Sequence, residues 1–332
     1  MISFGLLLAF GDTYLDSIQP SNLKGYVSYL ASDDLKGRQT PSPELDKAAQ
    51  YIAAEFKKDG VLPGNDGSYF QIAEWTRGQN AGQTVRNVIG IIPGTDPVLS
   101  KQYVIVSAHY DHLGIKRGEA KPGEDMIFNG ADDDASGVAG VIEIGKALAK
   151  EKPKRTIVLM TFYGEEKGLV GSGYYVRHPV FPLKQTVANI NLEQIGRTDD
   201  TEGARVGAGS LTGFNFSTIG ATFAKVGEAM KVPVTGHPKF SAPYFYQSDN
   251  AAFAMAGIPA HTICTAFEFP DYHQVGDSAD KLDYENMAKI VKVSAAVTWE
   301  IANADSKPTW NENEPKAANF VKAAKKLASN EG

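Results

Sequence analysis

Asp132, Asp133 and Asp134 are three consecutive carboxylates between Gly130 and Gly137, in the segment Asn-Gly-Ala-Asp-Asp-Asp-Ala-Ser-Gly. Like charges this close repel one another and resist burial in an apolar core, so a bound dication is the simplest chemistry that would hold them. The competing reading is a solvated acidic turn capping the N-terminus of the helix that follows. The segment alone does not separate the two. Further residues of ligand chemistry fall where β-type runs end. His109 and Asp111 follow Tyr103–Ser107, Glu165 and Glu166 follow Thr156–Tyr163, Glu193 follows Val187–Leu192, and Asp271, Tyr272 and His273 lie beyond Ile258–Cys264. In an extended chain His109 and Asp111 point the same way, so the carboxylate can receive the ring N–H of a metal-bound histidine or hold a neighbouring group. Glu165 and Glu166 are adjacent and point apart; one can take a metal while the other faces a water molecule. A lone His-x-Asp, or a Glu pair beside Lys167, is common without such a role, and the case rests on all of them arriving together.

Such residues need strands that end side by side. Val88–Ile92, Tyr103–Ser107, Thr156–Tyr163, Val187–Leu192 and Ile258–Cys264 read as strands; Glu44–Lys58, Ser136–Lys150, Ser217–Met230 and Tyr284–Ala302 read as helices, after an amphipathic stretch from Ser21 to Arg38. This alternation predicts an α/β fold with a largely parallel sheet covered on both faces, and ligands beyond the C-terminal strand ends. Gly171-Ser-Gly173 reads as a turn. The polar stretch Gly64–Gln83 is too short for an inserted domain. The expected organisation is an N-terminal apolar segment over residues 1–20, a catalytic domain over 21–305, and a polar, partly helical tail over 306–332 that adds little to the site.

The chain has 332 residues, 42% of them hydrophobic, enough for a sizeable core. A net charge of −6 argues against nucleic acid as the partner. Cys264 is the only cysteine, which excludes an intramolecular disulfide and a cysteine-based zinc knuckle. Ile2–Phe10 is apolar but shorter than the roughly 20 residues a membrane-spanning helix needs. No Lys or Arg precedes it, so it reads either as a truncated or remodelled export signal, placing the protein in the periplasm or outside the cell, or as a segment that packs on the domain, which leaves a cytoplasmic location open. Oligomeric state is not legible.

Five motifs in order are far more specific than any one: Ala108-His-Tyr-Asp111, Gly130-Ala-Asp-Asp-Asp-Ala-Ser-Gly137, Gly164-Glu-Glu166, Asn191-Leu-Glu-Gln-Ile-Gly-Arg197, and Tyr272-His273 followed by Asp277. Together they resemble the co-catalytic zinc aminopeptidases, a family that includes bacterial leucine aminopeptidases and shares its fold with glutamate carboxypeptidase and the transferrin receptor. The resemblance covers roughly Leu23–Ala302 and implies a three-layer zinc-exopeptidase fold with a mixed, mostly parallel sheet. It also implies two zinc ions, with cobalt or manganese as substitutes, bridged by Asp133. One ion would take Asp133, Glu166 and His273, the other Asp133, His109 and Glu193. Glu165 would be the general base toward a bridging hydroxide, Asp111 the carboxylate behind His109, and Tyr272 the donor to the oxyanion. The peptide bond after Asp133 would be cis. The substrate implied is a peptide with a free N-terminus. Three ligand carboxylates supply about −3 against +4 from two ions, and a hydroxide brings the remainder near zero.

One departure is Glu193, where the family more often has Asp. Rival readings are a carboxypeptidase, for which Arg197 and Arg205 would have to bind the substrate carboxylate, a one-zinc glutaminyl cyclase, and a non-catalytic binding protein. His112 and His261 are available to a nucleophile, but no glycine-flanked elbow marks a serine. Phe267 and Phe269 are candidates to line an apolar pocket for a leucine-like side chain.

Overall fold

The computed structural model describes residues 13–329, and the apolar run Ile2–Phe10 lies outside them. Eleven strands are formed among the described residues: β1 (Leu62–Pro63), β2 (Phe70–Glu74), β3 (Thr84–Ile92), β4 (Tyr103–His109), β5 (Gly114–Ile115), β6 (Ile127–Phe128), β7 (Thr156–Phe162), β8 (Thr186–Leu192), β9 (Gly209–Leu211), β10 (Val234–Thr235) and β11 (Ala260–Cys264). The main sheet runs β1-β3-β7-β4-β8-β11-β9-β10, with β2 also on β3, while β5 and β6 pair separately. The centre, β7-β4-β8-β11, is parallel as expected. The flanks are not: β3 is antiparallel to β7, and β9 to β11.

Side-chain parity divides the core into two layers, because alternate strand residues face opposite sides of the sheet. Val104, Val106, Ile157 and Leu159 feed one layer; Ile105, Val158, Met160 and Phe162 feed the other. The helices are α1 (Thr13–Asp16), α2 (Pro20–Leu30), α3 (Pro43–Asp59), α4 (Gly137–Leu148), α5 (Val170–Arg177), α6 (Thr218–Ala229), α7 (Asn250–Met255), α8 (Tyr284–Asn303) and α9 (Ala318–Ser329). Helices α1 to α4, α6 and α8 contribute to the first layer, α5, α7 and α9 to the second. Local signals set their ends. Ser42 accepts the Leu45 N–H at 3.0 Å ahead of Pro43, and α3 stops at Gly60 in the left-handed conformation (φ 86°).

Several elements differ from the sequence reading. The stretch Gly64–Gln83 contains β2, whose five residues pair with β3. Helix α2 ends at Leu30, and Asp33–Arg38 coils separately, with Lys36 and Gly37 at positive φ. Gly171 and Gly173 lie inside α5 rather than in a turn. A Cβ on Gly171 would come within 2.4 Å of the Tyr163 carbonyl, so close packing of helix on strand, not turning, calls for glycine. The tail buries Trp310, Ala317 and Phe320 in the second layer, and α9 packs on α7 and on Leu183–Gln185, which leads into β8 at the end remote from Glu193.

Within this core His261 of β11 is fully buried, its Nδ1 2.8 Å from the Thr212 carbonyl and its Nε2 2.6 Å from the Ser217 hydroxyl. A neutral ring satisfies both, donating from Nδ1 to Thr212 and accepting at Nε2 from Ser217. Burial pushes its pKa down to about 4. In the unfolded chain a histidine titrates near ~6.5, so between those values the unfolded state binds a proton that the native state refuses. The contribution is therefore present in full above that range and is lost as pH falls through it. Urea titrations from pH 7 to pH 4 should show wild type losing on the order of 3 kcal/mol more stability than His261→Gln. Parallel pH profiles for the two proteins would contradict this.

Candidate metal centre

The parallel strands β4, β7 and β8 deliver His109, the Glu165–Glu166 pair and Glu193 to one edge of the sheet. The segment Ala131–Ser136 crosses above them into α4, and the peptide bond between Asp133 and Asp134 is cis. Only the middle carboxylate of the three faces the site. Asp132 Oδ1 accepts the N–H groups of Gly196 (2.7 Å) and Arg197 (3.1 Å), and Asp134 Oδ1 accepts those of Gly137 (2.9 Å) and Gln194 (3.2 Å). The flanking acids thus bind the turn after β8, which carries Glu193. Asp277 accepts the N–H groups of Asp132 (2.9 Å) and Asp133 (3.0 Å) from the opposite side. A Cβ on Gly137 would lie 2.4 Å from the Leu192 carbonyl, so this contact between α4 and the end of β8 requires glycine.

Asp133 then stands between two histidines. Its Oδ1 lies 3.1 Å from His109 Nε2 and its Oδ2 3.1 Å from His273 Nε2. His273 Nε2 is also 3.4 Å from Glu166 Oε2. Behind the ring, His109 Nδ1 donates to the Asp111 backbone carbonyl at 3.1 Å, nearer than the Asp111 carboxylate at 3.7 Å. That carboxylate is used elsewhere, accepting from Thr40 Oγ1 (3.1 Å) and from the Glu165 N–H (3.0 Å). Asp111 therefore positions both the histidine and the expected base. Glu165 Oε2 is 4.0 Å from His109 Nε2. Tyr272 stacks on His273 with ring centroids 4.1 Å apart.

The electrostatics are those of crowded acids. Burial, opposed by His109 and reinforced by Asp133, pushes Glu193 up to about 8. Burial likewise raises Glu165 well above the usual carboxylate range, with Glu193, Asp249 and Glu166 adding to the effect. Asp133 goes the other way: burial would raise it, but His109 and His273 hold it well below the usual range.

Several buried atoms here have no hydrogen-bond partner, among them His109 Nε2, Glu166 Oε1 and Glu193 Oε2. Unpartnered buried polar atoms are rare in folded proteins and converge where an ion belongs. Ligand atoms of His109, Asp133 and Glu193 lie within 4.8 Å of one another, as do those of His112, Asp133 and Glu166. Imidazole and carboxylate together suit zinc, so the residues fit the group.

His112 was not among the expected ligands, although it stands three residues after His109, just past the end of β4. Asp249 is a second addition, fully buried with neither carboxylate oxygen partnered and pushed up to about 6 by burial. Asn250, beside it, is a structural residue: its amide donates to the Phe245 carbonyl and accepts from Thr262. Arg38, at the end of the Ser21–Arg38 stretch, is buried and donates to the carbonyls of Leu30, Tyr110, Asn129 and Gly130, tying the segment after β4 to the Asp133 loop.

Comparison with known proteins gives concordant results. Residues 87–298 match peptidase family M28. A probable zinc metalloprotease of the fungus Leptosphaeria maculans is 23% identical over 347 residues, spanning 89% of this chain and 77% of that protein. The aminopeptidase of Aneurinibacillus sp. strain AM-1 superposes with a TM-score of 0.67 at 17% identity, over 89% of this chain and 96% of that one. The glutaminyl cyclase of Bacteroides thetaiotaomicron superposes with a TM-score of 0.64 at 18% identity, over 85% and 98%. At these identities the two structures establish the mixed α/β fold.

A divalent ion bound here should stabilise the protein by relieving carboxylate repulsion. After chelation, zinc or cobalt at 100 times its dissociation constant should add about 2.7 kcal/mol, equivalent to a rise in Tm of several degrees. Thermal melts with and without the ion test this; identical curves would remove the metal centre.

Proposed function

The chain belongs to peptidase family M28, and from that premise we propose that it is an aminopeptidase, a zinc-dependent hydrolase that removes the N-terminal residue of peptides. The observation that carries this reading is the charge of the cleft. The cavity over the site, about 430 Å³, is lined by Asp133, Glu165, Glu166 and Glu193 with Tyr272 and His273, and none of its lining residues is Lys or Arg. With two ions bound, the charges of Asp133, Glu166 and Glu193 are cancelled; the cleft keeps the Glu165 carboxylate to face a protonated α-amine and offers no Lys or Arg to a C-terminal carboxylate. Arg197, which a carboxypeptidase would need, is engaged by Asp199 (2.8 Å) and Asp271 (2.9 Å).

Two zinc ions, held by His109, Asp133 and Glu193 on one side and by Asp133, Glu166 and His273 on the other, would supply Lewis acidity toward the scissile carbonyl and toward water. Glu165 is left without a metal. With its backbone fixed by Asp111, its carboxylate takes a proton from the attacking water and passes it to the departing amine. Tyr272, its ring oriented by the stack on His273, is placed at the cleft wall to donate its hydroxyl hydrogen to the developing oxyanion. Burial raises the Tyr272 pKa, which keeps that hydrogen in place.

A side pocket shares Glu193 and Tyr272 with the cleft and is further lined by Thr212, Tyr244, Cys264 and Phe267. Its volume is about 20 Å³, room for one water-sized group. Phe267 is a wall of this pocket, held by ring contacts to Tyr244 (5.3 Å), His237 (5.6 Å) and Phe240 (5.7 Å). Phe269 is not part of it and packs under Arg197 and against Tyr272. The aromatics leave this pocket narrow, and the side chain we propose for it is that of Gly, Ala or Ser.

Two measurements test the reading. Glu165→Gln should retain both ions and the fold yet lose about 10² or more in kcat, since general-base catalysis contributes 10² to 10⁴; normal turnover at full metal content would remove Glu165 from this role. The kcat/KM for alanyl p-nitroanilide should exceed that for the leucyl compound at least ~10-fold, the low end of what a misfitting methylene costs in a closed pocket. Phe267→Ala should narrow the gap, and N-acetylation should abolish cleavage of either substrate. Equal rates on blocked and free substrates would end the aminopeptidase assignment.

A further inference from the structure

We propose that His112 is a further protein ligand of the metal centre, on the side formed by Asp133 and Glu166; the inference rests on the metallopeptidase reading above. His112 is fully buried, and neither ring nitrogen has a hydrogen-bond partner. Its Nδ1 lies 2.8 Å from Glu166 Oε1 and 3.8 Å from Asp133 Oδ2. Glu166 Oε1 is unpartnered as well. The two atoms are in contact without being aligned as donor and acceptor, and each carries a lone pair that a divalent ion can share. Ligands about 2.0–2.1 Å from a tetrahedral zinc ion stand roughly 3.3 Å apart, and the two separations bracket that value. The distances from His273 to the same two carboxylates, 3.1 and 3.4 Å, belong to the same pattern.

The position is built rather than incidental. Gly130 is in the left-handed conformation (φ 60°), and a Cβ there would lie 2.5 Å from His112 Cγ, so the glycine makes room for the ring. The His112 N–H donates to the Arg38 carbonyl at 3.3 Å, and the Arg38 guanidinium holds the carbonyls of Asn129 (2.8 Å) and Gly130 (3.0 Å). The loop that carries His112 and the loop that carries Asp133 are thus fixed to each other. His273 contrasts with this. Its side chain is 39% exposed and its backbone φ is 55°. The Asp133–Glu166 side has an inner histidine and an outer one, and an ion there does not depend on the outer one for its retention.

The test is cobalt titration of the chelated, full-length protein, followed by absorption and by metal content per chain. His273→Ala should keep the second ion, whereas Glu166→Gln and the double variant His112→Ala, His273→Ala should lose it. His112→Cys gives a positive signal. Ligation through Nδ1 has a reach close to that of a thiolate, whose bond to the metal is longer at about 2.3 Å, so a thiolate-to-cobalt band in the near ultraviolet should appear that wild type, with only Cys264, lacks. Thermal melts establish that each variant is folded, and the His273→Ala arm stands even where His112→Cys fails to fold. A folded His112→Cys that binds two cobalt ions without the band overturns the proposal, as does His273→Ala losing the second ion as completely as Glu166→Gln. Loss limited to the roughly 10–100-fold weakening typical of an outer hydrogen-bond partner, with no thiolate band, would make His112 a brace for Glu166 and likewise overturn it. A wild-type protein that binds no cobalt would overturn the metallopeptidase reading itself.

Discussion

The structure depends on how a set of buried carboxylates is kept in one place. Asp132, Asp133, Asp134 and Asp277 are all nearly or fully buried, and charges out of water are tolerated only where something of opposite sign or a hydrogen-bond donor meets them. Backbone amides meet most of this need. Asp132 and Asp134 are saturated on one oxygen by four N–H groups of the Glu193 turn and of the α4 start, and Asp277 by two more from the acidic segment itself. Asp133 alone has no amide acceptor role and is answered by histidines. The three acids in sequence are therefore two structural clamps around one chemical group.

This arrangement explains why the parallel centre of the sheet matters more than its antiparallel flanks. Neighbouring parallel strands end on the same edge, so β4, β7 and β8 bring His109, Glu166 and Glu193 together without any long loop. The strands beyond them close the two apolar layers. Arg38 extends the same logic from outside the sheet: a buried guanidinium that meets only carbonyl oxygens, bound to the segments carrying His112 and Asp133. Removing it would leave carbonyls unpaired on both loops at once.

The central strands and long helices were legible because each has a period that reports its burial: nearly continuous apolar runs for β4 and β7, apolar Ala188, Ile190 and Leu192 at alternate positions of β8, helical spacing for α3 and α8. The residues that converge at the candidate centre were legible because they sit where those runs stop. What escaped had no period to show. The two-residue strands cannot display one, and β2 alternates over five residues inside a polar stretch. Gly171 and Gly173 carry the composition of a turn but lie in a helix, where Gly171 serves a close contact. His112 escaped for another reason. The role proposed for it is visible only through Glu166, 54 positions later in the chain, and through the space left by Gly130, neither of which a local pattern can express. The leucine-like pocket was expected from the presence of Phe267 and Phe269; whether an aromatic lines a cavity or fills it is decided by neighbours such as Tyr244 and Phe240, distant in sequence.

Glu193 joins the chemistry of the centre to the size of the group beside it. It offers an unpartnered oxygen toward His109 and Asp133, and it also lines both the open cleft and the narrow side pocket. A glutamate reaches one methylene further than the aspartate more frequent in the resembled aminopeptidases, from a backbone whose N–H is fixed to the Ile263 carbonyl at 3.1 Å. With the main chain held, the longer side chain reaches further into the wall that the cleft and the side pocket share. In the proposed aminopeptidase the longer ligand and the pocket of about 20 Å³ are thus parts of one geometry, in which the residue that binds metal also limits the side chain accepted next to it.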